Sequence, residues 1–153
     1  MKKKLGCIVV IVAVCFLFAK IGFLHCQVPC GIYGDQLRFS MMEEDISTIE
    51  KAVNEINKLA QAPGNYNQLV RWVNTKEDHA NNIMKTTSDY FIAQRITIQQ
   101  EGDNKDKNYC TKISLLHKII VYAMQTKQSV DQSTVEKLKN SVAEFKKIYF
   151  EKK

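Results

Sequence analysis

The chain has 153 residues, 45% of them hydrophobic and 25% charged, which fits one ordinary globular domain and excludes a disordered chain. Its formal charge of +6 is uneven: Lys2, Lys3, Lys4 and Lys20 fall within the first 24 residues, where there is no acid, and the rest carries 18 basic and 16 acidic groups, a net +2. That small excess, with no Arg/Lys cluster interleaved with aromatics, excludes nucleic acid as the expected partner.

Residues 5–19 form an unbroken run of 15 apolar residues behind the three lysines. A basic stretch followed by an apolar one is the architecture of a secretory signal. The run is short for a membrane span, which needs roughly 20 residues to cross ~30 Å of hydrocarbon. The expectation is an export leader over 1–24 that is removed. The alternative is an anchor through residues 5–24 in which Lys20 snorkels to the surface. Cys7 and Cys15 lie in this leader as small hydrophobes, leaving Cys26, Cys30 and Cys110. An odd count in an exported chain leaves at least one thiol in need of a role.

The next segment, 25–34, concentrates the reactive groups: His25-Cys26-Gln27-Val28-Pro29-Cys30-Gly31-Ile32-Tyr33. Pro29 fixes its own φ and biases Val28 toward an extended shape, and Gly31 permits a tight reversal. Cys26 and Cys30 can close a small disulfide, or both thiolates can face one metal ion. Two thiolates with nitrogen donors suit a soft or borderline transition metal. A structural zinc site wants a second ligand pair, which the sequence lacks. If the mature chain begins at His25, its amine and imidazole, the Cys26 amide nitrogen and the two thiolates make five donors, a set suited to nickel.

From residue 35 onward the periodicity is helical. Ile46, Ile49, Val53, Ile56 and Ala60 predict one stripe on a helix of about 20 residues, stopped by Ala62-Pro63-Gly64-Asn65. Leu69, Val73, Ala80, Ile83 and Phe91 predict a second helix from Tyr66 to about Gln100. Residues 102–108 are a charged loop. Ile113, Leu116, Ile120 and Ala123 predict a third helix. Val135, Leu138, Val142, Phe145 and Tyr149 predict a fourth, opened by a Ser133/Glu136 capping box. The expected fold class is all-α, an antiparallel four-helix bundle over 35–153 that carries an N-terminal metal-binding hook.

The pattern His-Cys-x-x-Pro-Cys-Gly-x-Tyr, present as His25, Cys26, Pro29, Cys30, Gly31 and Tyr33, resembles the nickel hook of the nickel superoxide dismutases. The likeness continues through the helical body, including Ser88-Asp89-Tyr90-Phe91. It implies a four-helix bundle assembled as a homohexamer that disproportionates superoxide into oxygen and hydrogen peroxide by cycling Ni(II)/Ni(III), with one nickel ion per subunit. Residue by residue, it implies His25, Cys26 and Cys30 as metal ligands, His25 also as the axial catalytic imidazole, and Tyr33 and Tyr90 as the wall over the metal's open face. It further implies a carboxylate and a base that orient the imidazole, sought among Glu43 or Glu44 and Arg71 or Lys76, and a maturation protease that exposes His25. Many relatives carry Asp where Gln27 stands and Asp-Pro where Gly34-Asp35 stands.

Other residues are expected to be structural. His79 lies near the core-facing stripe, His117 is a partly buried packing residue, Cys110 is a buried thiol, Trp72 belongs to the core and Met41-Met42 is filler. Two rival functions stay open: a membrane-anchored helical protein with no catalysis, and an exported copper or zinc binder without redox turnover.

Overall fold

In the computed structural model the described residues are 31–61, 64–99 and 106–151, all within one compact unit, Gly31–Lys153. Their secondary structure is helical throughout: α1 (Asp35–Ala60), α2 (Tyr66–Lys85), a π-helical continuation of α2 (Thr86–Arg95), α3 (Tyr109–Gln128) and α4 (Gln132–Phe150). The chain forms a four-helix bundle in which each helix packs on its sequence neighbours and α4 returns to α1. The α1–α4 pair runs antiparallel, as Glu43–Lys146, Glu50–Lys139 and Asn54–Gln132 contacts record in descending order along α4. No helix among the described residues is long and apolar enough to cross a membrane. The predicted leader lies outside the described residues.

The first stripe holds at Ile46, Ile49, Val53 and Ile56, but it runs backward to Phe39 and Met42 rather than forward, and Ala60 is exposed. α1 is accordingly 26 residues long. Phe39 meets Phe91 and Phe145, with ring centroids 4.8 and 5.5 Å away, and Phe91 meets Phe145 edge-on at 5.1 Å. These three fully buried rings lock the N-terminal end of α1 to the π-helical segment and to α4.

α2 departs further from its predicted stripe. Ala80 and Ile83 are buried, while Val73 is 36% exposed and Trp72 is only half-buried, its ring lying under the Lys51 ammonium at 5.7 Å. The core position between them is filled by Lys76. Its Nζ donates to the carbonyls of Thr126 (2.5 Å), Lys127 (2.7 Å) and Ser129 (3.1 Å), so a buried cation closes the C-terminal end of α3, where unpaired carbonyls and the helix dipole favour positive charge. Burial pulls its pKa below the usual lysine value.

On α3 the predicted Leu116 and Ala123 are buried, while Ile113 and Ile120 are only half-buried and Leu115 and Ile119 complete the buried face. α4 keeps its predicted face, but its N-cap is Asp131, not Ser133: the Asp131 carboxylate accepts from the Ser133 amide at 2.9 Å and from its hydroxyl at 2.6 Å. A carboxylate is the stronger acceptor and complements the dipole as well. Cys110 and His117 are both exposed, contrary to expectation, because the rotation of α3 turns their side toward solvent.

Candidate functional site

The functional residues that sequence singled out in the hook, His25, Cys26 and Cys30, lie outside the described residues. Next in the chain, Gly31 has a φ of +71°, the left-handed conformation that glycine adopts without cost. A Cβ there would meet nothing within 4 Å, so backbone conformation rather than space selects glycine. Two residues on, Tyr33 is 50% exposed.

Tyr33 and Tyr90, assigned to one wall by resemblance, are brought together. Their ring centroids are 6.3 Å apart in an edge-on contact. The Arg95 guanidinium also lies over Tyr33, 4.3 Å from the ring centroid, a cation–π contact. Arg95 is itself held by Asp35, whose carboxylate is the centre of the cluster. Arg95 Nη2 donates to Asp35 Oδ2 (2.6 Å) and Nε to Oδ1 (2.8 Å), the two-pronged geometry in which guanidinium and carboxylate fit best. The Tyr90 hydroxyl donates to Oδ1 (2.5 Å) and the Tyr149 hydroxyl to Oδ2 (2.9 Å). Asp35 stands in the first turn of α1, where the helix dipole adds to this stabilisation.

The π-helical segment explains why one stretch of chain can supply both Tyr90 and Arg95. Residues five apart on an α-helix lie about 140° from each other around the axis, on nearly opposite sides. In a π-helix residue i bonds to residue i+5, which stacks them on one face. The Ile96 amide donates to the Phe91 carbonyl at 2.9 Å, and the Gln94 side chain bonds the Asp89 carbonyl at 2.7 Å, both five residues back. Within the segment Thr87 Oγ1 donates to the Ile83 carbonyl at 2.7 Å and Ser88 Oγ to the Lys85 carbonyl at 3.3 Å.

Protonation follows from this geometry. Burial alone would raise the Asp35 pKa, but hydrogen bonds from Arg95, Tyr90 and Tyr149 hold it below the usual carboxylate value. Burial and then the bond to Asp35 push the Tyr90 phenol up to about 12, and the same two causes push Tyr149 to about 12. The bond to Asp35 raises Arg95 further above its ordinary range. The cluster is therefore a fixed ion pair carrying two neutral phenols at any physiological pH.

The candidates Glu43 and Lys76 are engaged elsewhere, Glu43 with Lys146 at 2.7 Å and Lys76 at the end of α3. The acid–base pair beside the tyrosines is Asp35 and Arg95. Sequence reasoning missed Arg95 and Tyr149; Tyr149 showed only as a stripe position and Arg95 gave no periodic signal at all. His79 Nδ1 lies 2.6 Å from Asp45 Oδ1 on the α1–α2 seam, and no three His, Cys, Asp or Glu side chains gather to hold a metal among the described residues.

A family model for nickel-containing superoxide dismutase matches residues 20–153. The chain belongs to that family. It is a nickel superoxide dismutase, an oxidoreductase whose cofactor is nickel and whose substrate is superoxide. No curated protein and no solved structure gives a match to the chain. The matched residues span the hook sequence and the helical bundle.

Proposed function

We propose that the nickel of this dismutase is held by the amine and imidazole of His25, the backbone nitrogen and thiolate of Cys26 and the thiolate of Cys30, and that superoxide reaches it past Tyr33 and Tyr90. The donor set fits the metal: thiolate and nitrogen ligands favour soft or borderline ions, and the described bundle gathers no competing set of donors. The observation that carries the reading is the packing of Tyr33 on Tyr90, since Tyr33 lies only three residues beyond Cys30, about 10 Å of chain at full stretch.

When bound, nickel supplies an electron-transfer centre that alternates between its divalent and trivalent states. The protein's own residues govern protons and access. The Tyr90 proton is committed to Asp35, so at this wall its oxygen offers lone pairs and not a proton. Among the described residues the Tyr33 hydroxyl has no hydrogen-bond partner, which leaves it free to donate to a small anion or to a peroxide forming beside it. Arg95 fixes the ring that carries this hydroxyl, and Asp35 fixes Arg95. A bulky phenol three residues from Cys30 would also limit access by larger oxidants that attack thiolates.

The lysines and the apolar run ahead of His25 support export, with a protease exposing His25 as the first residue, and the family resemblance supports a hexamer. One experiment tests the core of the reading. N-terminal sequencing, nickel content and pulse-radiolysis dismutation are measured on one purified active preparation. A start at His25 with nickel-dependent turnover is expected. An active preparation with its leader intact would overturn the ligand assignment.

A further inference from the structure

Beside the ion pair stands a second arginine that the dismutase reading has not used. Arg38 lies one turn after Asp35 on α1, with its guanidinium carbon 5.0 Å from the centroid of the Tyr90 ring. Two arginines thus flank the tyrosine pair, Arg95 over Tyr33 and Arg38 over Tyr90. They differ in charge compensation. Asp35 accepts four hydrogen bonds, two from Arg95 and one each from Tyr90 and Tyr149, which uses the roughly four lone-pair positions a carboxylate offers. Nothing remains for Arg38, and no other carboxylate among the described residues pairs with it. Its one hydrogen-bond contact there is from Nη1 to the Met41 sulfur at 3.8 Å, a weak acceptor. Its Nε–H is sealed from solvent without an acceptor, the single buried side-chain donor or acceptor in that state among the described residues. A native protein rarely leaves such a group without a role.

We propose that Arg38 is the cation that draws and meets the small anionic substrate at the Tyr33–Tyr90 wall. The inference rests on the dismutase reading for the identity of the anion, and on the geometry above for the residue. Packing over Tyr90 holds the guanidinium in place. With no carboxylate paired to it among the described residues its charge is uncompensated, and the neighbouring ion pair contributes almost no net charge of its own. A single unneutralised cation beside the tyrosine pair concentrates a monovalent anion there, and the effect weakens as salt screens it. Arg38 takes no part in electron or proton transfer.

The test compares the mature protein with Arg38→Lys, Arg38→Gln and, as a control on an exposed face of α3, Lys118→Gln. For each, kcat/KM for superoxide is measured by pulse radiolysis from about 10 mM to about 200 mM ionic strength. Arg38→Gln should lower kcat/KM about three- to tenfold at low salt, with the gap closing at high salt. Arg38→Lys should keep most of the rate and the salt slope, and Lys118→Gln should stay near wild type. In parallel, azide is titrated into the wild-type protein while the arginine Nε–H signals are followed by nitrogen-15 NMR, and the Arg38 signal should shift. An unchanged salt slope in Arg38→Gln, equal losses in the Lys and Gln variants, or a silent Arg38 signal would each overturn the proposal, the second by showing a packing clamp on Tyr90. If the wild type lacks nickel-dependent turnover, the enzyme reading fails, and the azide titration still decides the anion contact by itself.

Discussion

Asp35 and Arg95, 60 residues apart in the chain, meet through two hydrogen bonds of 2.8 and 2.6 Å that join the first turn of α1 to the last turn of the π-helical segment. The same carboxylate holds both phenols of the cluster, so removing its charge should be felt at every member.

Asp35→Asn keeps the shape and removes the charge. Arg95 then stays half-buried without its counter-ion, and we expect a loss of about 1–3 kcal/mol, below the range for a fully buried pair because solvent reaches both side chains. Acid should reproduce part of the effect. The Asp35 pKa is lowered in the folded state, so its contribution is present above the ordinary carboxylate value near 3.8 and is lost as pH falls through the lowered one. Urea denaturation at pH 7 and pH 3 checks this: the difference between wild type and Asp35→Asn should shrink at pH 3.

Tyr90 and Tyr149 should ionise near pH 12. Because both pKa values are raised by folding, the stabilisation they give is complete below the ordinary tyrosine value near 10 and fades toward 12. In an alkaline titration followed at the phenolate absorption band, Tyr90→Phe and Tyr149→Phe should each remove amplitude from the part centred near pH 12. Loss of amplitude near pH 10 instead would contradict the hydrogen bonds to Asp35.

The cysteines should separate cleanly. Cys26→Ser or Cys30→Ser is expected to abolish bound nickel and dismutation, with the circular dichroism of the bundle nearly unchanged. Cys110→Ser should leave activity and stability within about 0.5 kcal/mol of wild type, since this thiol is exposed at the start of α3. Metal analysis and far-ultraviolet spectra on the three variants decide it.

Lys76→Met should cost about 2–4 kcal/mol of stability, because it strips three carbonyls at the end of α3 of their donor in a buried position. Nickel content and turnover under folding conditions should be preserved, since Lys76 is not part of the tyrosine cluster. Thermal and denaturant unfolding measure the loss. A variant as stable as wild type would mean that water replaces the ammonium freely.

Much of the molecule was legible in the chain before it was folded. Spacings of three and four at Ile46, Ile49 and Val53, and at Val135, Leu138, Val142 and Phe145, are a property of covalent order, and each set is a buried helix face. Tyr33 and Tyr90 were nominated by the resemblance of their motifs, and the fold sets their rings side by side. Lys76, Trp72 and the rotation of α3 were not legible, because a stripe predicts which face is apolar, not whether a long cation can reach three carbonyls on another helix or which residue at a stripe edge packs closest. The functional cluster was the least legible part. Asp35, Arg95 and Tyr149 are polar residues far apart in sequence, and nothing in periodicity links them. They meet because the π-helical geometry turns Tyr90 and Arg95 to one side, and because three phenylalanines seat that segment against the start of α1 and the end of α4. The sequence by itself determined the helices and the order of the elements. Tertiary structure alone decided which carboxylate holds the tyrosines and which arginine is left with its charge unspent, since hydrogen bonds between distant elements form only where packing brings their atoms within about 3 Å.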